Sequence, residues 1–296
     1  MIRPNTFRTV LGISPAMATI GIFMLLPILI MALYSFLEPN PYGGVRWNFT
    51  VESYVRLLFE RDLDGRLVFD TTYLGIIWRS VWIGAVAVVA SLLVGFPVAY
   101  YIAIQPTSRR NILILLITIP FWTNLLIRTY CWILILRDTG LINNILISSG
   151  VLEHPLTLLY TNGAIILGLI YTFIPFMVLP IYASLEKLDH RLIEAARDLY
   201  ATRWQAMKQV IIPLAIPGIV AGSLLVFIPS LGAYIAPDLL GGGKKLMLGS
   251  LVQLQFSSSR NWPFGSALAI FTMAIVMVAL TWYALGPGRR SDGNLH

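Results

Sequence analysis

The chain has 296 residues, 57% of them hydrophobic and only 12% charged, and a mean hydropathy of +0.77. A soluble domain carries about 25% charge, so composition argues against a soluble domain and points to an integral membrane protein. The net charge of +7 is then a matter of where the basic residues fall relative to apolar runs, not of a nucleic-acid footprint.

A helix needs roughly 20 apolar residues to cross a hydrocarbon core of about 30 Å. The first run of that length lies near Val10–Leu37. Its Ala16-Met17-Ala18 resembles a leader cleavage site, yet only six apolar-leaning residues precede it. Secretory h-regions run about 7–15, so the stretch reads as a first span. Residues 38–79 form the largest polar segment: Glu38-Pro39-Asn40-Pro41-Tyr42-Gly43-Gly44 is turn-rich. The aromatic and charged stretch behind it predicts short interfacial helices.

The second span lies near Val81–Ile104, where Ala87, Ser91, Gly95 and Ala99 place small side chains on one helical stripe. Such a stripe lets another helix approach closely. The third lies near Asn111–Ile127; Arg128 interrupts its pattern, which resumes through Leu136. The fourth and fifth lie near Asn162–Ser184 and Ile211–Ile235, with Gly218 and Gly222 repeating the small-residue spacing. Phe264–Leu285 is the sixth.

With both termini cytoplasmic, the inside segments hold Arg3, Arg8, Arg109, Arg110, Lys187, Arg191, Arg197, Arg203, Lys208, Arg289 and Arg290. Those eleven lie in short segments, against nine Lys and Arg in the longer outside loops. The positive-inside rule therefore favours that orientation.

Arg128 is the one ionisable residue read as lying within a span, near its outer end. It is open between snorkelling to the interface and a gate or pathway role. No buried chain of acids or histidines is present to carry protons. Cys131 is the single cysteine, and His154, His190 and His296 lack metal-ligand spacing, so neither a metal site nor a catalytic residue is assigned. Gly241-Gly242-Gly243-Lys244-Lys245 lacks phosphate-loop spacing and predicts a turn. An active transporter of this kind needs its engine on another chain.

Residues 185–210 are the longest inside segment. Asp189 can cap a helix on which Leu192, Ala195, Ala196 and Leu199 share one face. Thr202 and Gln205 then match a capping box, so two short helices are predicted with a sharp break near Tyr200–Ala201.

The stretch Glu194-Ala195-Ala196-Arg197-Asp198-Leu199-Tyr200 through Ile211 and Pro213 resembles the EAA loop of ABC-importer permeases. Ile212 replaces the usual Leu, and Tyr200 stands where the family has Gly. A left-handed turn costs a non-glycine residue on the order of 1 kcal/mol, which predicts a turn built differently here. From about residue 10 to 285, "PFWTNLLIRTY", "FIPFMVLPIYASLEKLD", "DLLGG" and "NWPFGSA" are similar to the spermidine/putrescine branch of these permeases.

That resemblance implies an all-α integral membrane protein with six transmembrane helices, a type I ABC importer permease bundle. Residues 1–296 would form a single transmembrane permease domain containing residues 185–210 as its cytoplasmic coupling loop. It implies a bacterial inner-membrane location and three kinds of protein partner. These are a second permease, two copies of a cytoplasmic ATPase that uses ATP and Mg, and an extracytoplasmic substrate-binding protein. This chain itself would bind no cofactor. Candidate pathway residues for a cationic solute are the aromatics Trp122, Tyr130, Tyr171 and Tyr234, with Arg128 and Asp238. Each aromatic also fits plain packing or interface anchoring. Two alternatives stay open: a permease for another small nitrogen-containing solute, and a gradient-driven transporter.

Overall fold

The computed structural model describes residues 6–61, 66–188 and 190–285. In chain order its helices begin with α1 (Thr6–Tyr34), α2 (Glu52–Val55), α3 (Thr72–Ala103), α4 (Thr107–Trp122), α5 (Leu125–Leu136) and α6 (Leu141–Ser148). They continue as α7 (Asn162–Leu185), α8 (His190–Asp198), α9 (Arg203–Ala206), α10 (Ile212–Gly232), α11 (Ile235–Gly241), α12 (Leu248–Ser257) and α13 (Trp262–Leu285). Each predicted span meets a helix. Among the described residues, α1, α3, α7 and the continuous run Arg203–Gly232 are each long and apolar enough to cross a membrane. α4 and the run Leu125–Ser148, α5 with α6, make a bent pair that counts as a fifth, and α13 stands at the sixth span, apolar over Trp262–Val278.

Contacts divide the chain into two compact units, residues 1–74 with 251–296, and residues 75–250. In the first unit α1 packs on α13, with Tyr34 stacked on Trp262 at 6.5 Å. Tyr73 and Arg56 both rest on Phe264, edge-on at 5.1 Å and as a cation over the ring at 5.5 Å. The predicted interfacial helices are corrected here. The described residues between 37 and 69 instead form two antiparallel strand pairs, β1 (Leu37–Pro39) with β2 (Val45–Phe49) and β3 (Phe59–Arg61) with β4 (Leu67–Phe69), with the four-residue α2 between the pairs. Gly43 and Gly44 take φ of 98° and 86° and reverse the chain. β-Branched and aromatic residues such as Val45, Trp47 and Phe49 then favour strand over helix.

In the second unit α7 and α10 form the most intimate pair. A Cβ on Gly218 would collide with the Pro180 carbonyl and Ile181 Cα, and one on Gly222 would lie 3.1 Å from the Met177 carbonyl. Only glycine permits this backbone approach. The predicted stripe Ala87, Ser91, Gly95 and Ala99 is buried throughout, with Gly95 against Met177.

Two cores result. One gathers Ile102, Met177, Ile181, Leu185, Ile211 and Ala215; the other gathers Ile83, Leu136, Ile165, Leu169, Leu240 and Met247. Phe173 packs against both. Ser80, wholly buried, accepts the Leu248 N–H at 2.8 Å and donates to the Ile76 carbonyl, so no polar group is stranded there. The glycine run after α11 is the predicted turn: Gly242 is its left-handed cap at φ 66°.

Candidate functional site

The polar island between α7 and α10 is built from local sequence signals. α8 covers His190–Asp198; its proposed cap Asp189 lies outside the described residues. Its end is corrected against expectation. Tyr200 adopts φ 58°, Ala201 N–H donates to the Ala196 carbonyl at 3.0 Å, and Tyr200 N–H donates to Arg197 at 2.9 Å. That pair of bonds is the Schellman motif, so the left-handed turn forms with tyrosine where the family has glycine. Two satisfied carbonyls offset a strain on the order of 1 kcal/mol.

The capping box is present as predicted. Thr202 N–H donates to Gln205 Oε1 at 2.7 Å and Gln205 N–H donates to Thr202 Oγ1 at 3.3 Å. α9 then passes through a π-turn, Met207–Ile211, into α10 without a break. Pro213 cannot donate to the carbonyl four residues back and would crowd it; the wider turn absorbs that mismatch. Ile211 is 2% exposed in the first core, so the loop's second half is rooted in the α7–α10 pair.

α8 itself is not covered. Leu192, Glu194, Ala195, Arg197, Asp198, Leu199 and Tyr200 are exposed and Ala196 is half-buried. Leu199 is 82% exposed. At the loop's root Arg110 Nη1 donates to Glu186 Oε1 at 2.9 Å, tying α4 to the end of α7. A polar, small-residue helix therefore projects from a rigid base, with its apolar face available to a groove.

A cavity of about 440 Å³ lies elsewhere in the same unit, lined by Phe121, Thr123, Arg128, Thr172, Phe173 and Tyr234 among others. Two helix breaks meet there. The α4–α5 run turns by 90° at Thr123–Asn124, ahead of the Arg128 interruption seen in the sequence. Asn124 Oδ1 accepts the Leu126 N–H at 2.8 Å and starts α5, while Thr123 Oγ1 donates back to the Pro120 carbonyl. The second break is extended Ala233, between α10 and α11. Non-helical backbone at membrane depth is tolerated where it lines a cavity or is buried in protein.

Of the pathway candidates, Arg128 and Tyr234 line the cavity. Tyr171 does not line it but backs Arg128, its ring 5.8 Å from the guanidinium and edge-on to Trp132. Trp122, Tyr130 and Asp238 are exposed and do not line it. Thr123, Phe121, Thr172 and Phe173 were missed. Thr123-Asn124 inside an apolar run was the legible signal, since Asn is a strong helix cap. Thr172 and Phe173 had none.

Residues 88–286 match the family described as binding-protein-dependent transport system inner membrane components. Among curated proteins, the chain is 39% identical over 88% of both lengths to the spermidine/putrescine transport system permease protein PotB of Haemophilus influenzae. It is 41% identical to PotB of Escherichia coli over 86% of this chain and 89% of the relative. A solved bacterial alginate ABC transporter in complex with an alginate pentasaccharide-bound periplasmic protein superposes with a TM-score of 0.68. That match covers 97% of this chain and 96% of the other at 18% identity.

Proposed function

This chain belongs to the family of binding-protein-dependent transport system inner membrane components, and on that premise we propose that it is a permease subunit of an ATP-driven polyamine importer. It is a multi-pass inner-membrane protein and forms half of a pathway for spermidine, putrescine or a close analogue. The relatives near 40% identity support the substrate class.

The observation that carries the coupling half of this reading is the exposed α8, held on a capped and core-anchored base. In this reading residues 185–210 are cytoplasmic, as are both termini. Residues 1–296 act as one permease domain. Glu194 to Tyr200 enter a groove of an ATPase subunit, and Ile211 and Pro213 pass its movement into α10. A helix seated in a groove transmits displacement because small side chains allow close contact and charges fix register. Two ATPase subunits use ATP and Mg, a second permease completes the pathway, and an extracytoplasmic binding protein delivers substrate. This chain holds no cofactor and is not the ATPase. Arg128, Tyr171 and Tyr234 are the pathway residues this reading favours; Trp122, Tyr130 and Asp238 would face solvent, lipid or the second permease.

One observation favours a different solute. The cavity carries an arginine and, among the described residues that line it, no carboxylate. An importer for another small nitrogen-containing solute fits that lining as well. Uptake of radiolabelled spermidine by proteoliposomes holding the complete complex decides between them. ATP-dependent uptake blocked by excess putrescine is the expected result. Uptake that survives ATP depletion under an ion gradient would remove the importer reading, and ATP-dependent uptake of another solute alone would remove the polyamine.

A further inference from the structure

Arg128 stands where elementary electrostatics disfavours it. It is the fourth residue of α5, at the end where the helix dipole is positive, so dipole and side chain have the same sign. It is the only charged side chain lining the cavity among the described residues. No carboxylate there pairs with it, and its Nε is buried without a hydrogen-bond partner. An intramembrane cation left in this condition is costly.

Its position is nevertheless set. Arg128 and Trp132 lie one turn apart on α5 and both pack on Tyr171 of α7, the guanidinium over the ring at 5.8 Å and the indole edge-on at 5.6 Å. A cation over an aromatic face gains about 0.5–2 kcal/mol, which parks the charge at the cavity wall. Phe121, Phe173 and Tyr234 offer further ring surface to an incoming ammonium. Attraction from the rings and repulsion from Arg128 thus act on the same small volume.

Resting on the polyamine reading above, we propose that Arg128 is a specificity-determining residue that keeps the cavity a place of passage. Its fixed charge prevents a multivalent amine from lodging against the aromatic lining. A pathway must bind well enough to admit its substrate and weakly enough to release it. With an acid in that place a polycation would be held; with an arginine it is moved on.

The test uses the assembled membrane complex in nanodiscs, washed free of binding protein, and measures equilibrium retention of radiolabelled spermidine. Arg128→Gln is expected to retain spermidine about tenfold more tightly, the scale of one charge–charge repulsion at this range. The gain should shrink as salt is raised. Arg128→Lys should behave as the parent. A second arm needs no refolding: Arg128→Cys in a Cys131→Ser background is modified after assembly with a neutral or an ammonium-bearing methanethiosulfonate. Only the neutral adduct should retain spermidine tightly. Equal retention by both adducts, or weaker retention in Arg128→Gln, overturns the proposal. Failure of the polyamine reading is seen separately, as a parent complex that transports no polyamine at all.

Discussion

The two ends of the α7–α10 pair are built on opposite rules. At the end that carries α8, the chain runs from α9 through a π-turn into α10 without interruption, and Ile211 is packed into a dense core. At the other end α10 stops at Gly232, Ala233 is extended, and α11 starts anew beside a cavity that the α4–α5 break also lines. The first arrangement suits transmission of force, because a continuous helix in a close-packed core moves as a body. The second suits accommodation, because a broken helix has already given up the hydrogen bonds that a moving wall would otherwise have to break. Gly218 and Gly222 join the two ends by letting α7 and α10 touch along their backbones.

The largest break in this scheme should come from Gly218→Leu. Its side chain would enter the Pro180 carbonyl and Ser184, and overpacking of this kind costs typically 1–3 kcal/mol or more. Loss of thermal stability of the detergent-solubilised chain is the readout; an unchanged melting curve would mean the helices are not in backbone contact. Asn124→Ala should cost about 1 kcal/mol and act at the other end. Faster amide exchange at Leu126 is expected, with exchange at the start of α9 unaffected. Sensitivity at both places would erase the distinction between the ends.

Tyr200→Gly should sharpen the rigid end by a similar but smaller amount, relieving left-handed strain on the order of 1 kcal/mol or less. Slower exchange of the Ala201 amide, which bonds the Ala196 carbonyl, would show it. The smallest effect concerns Asp70, outside both ends. Its hydrogen bonds from the Thr72 side chain and N–H hold its carboxyl below the ordinary carboxylate range. A lowered pKa means the contribution is fully present above the unfolded value and is lost as pH falls through the folded one. Asp70→Asn should therefore speed Thr72 exchange at pH 7, and the difference should begin to shrink below about pH 4 and vanish only once the pH is under the lowered folded value.

What could be read from sequence divides along the same line. The end bearing α8 was legible because its signals are local: Thr202 and Gln205 three residues apart, an i, i+3, i+4, i+7 face, and a proline after the loop. Tyr200 alone misled. Propensity argued against a left-handed tyrosine, and the Schellman bonds from Tyr200 and Ala201 outweighed it. Each of the six apolar runs falls on a helix, although α3 starts well ahead of Val81. Arg128 reads only as an interruption of the third run, and the break that Asn124 caps was not foreseen. The cavity was only partly legible because it is assembled by tertiary contact. Nothing in the order of residues places Thr172 and Thr123 on one cavity, or Tyr171 beneath Arg128 and Trp132. The strand pairs between residues 37 and 69 were missed because aromatic and charged composition was given more weight than the turn at Gly43-Gly44.

We propose that the exposed α8 is where another chain's ATP hydrolysis is felt. It is tested most directly by isolating this chain gently from its native membrane and measuring ATPase activity in what accompanies it. A co-purifying ATPase and a second permease are expected, with hydrolysis lost in Glu194→Arg or on removal of residues 192–199 while the chain is still made and inserted. Hydrolysis unchanged by both alterations, or a chain that transports alone in a preparation known to preserve complexes, would contradict it.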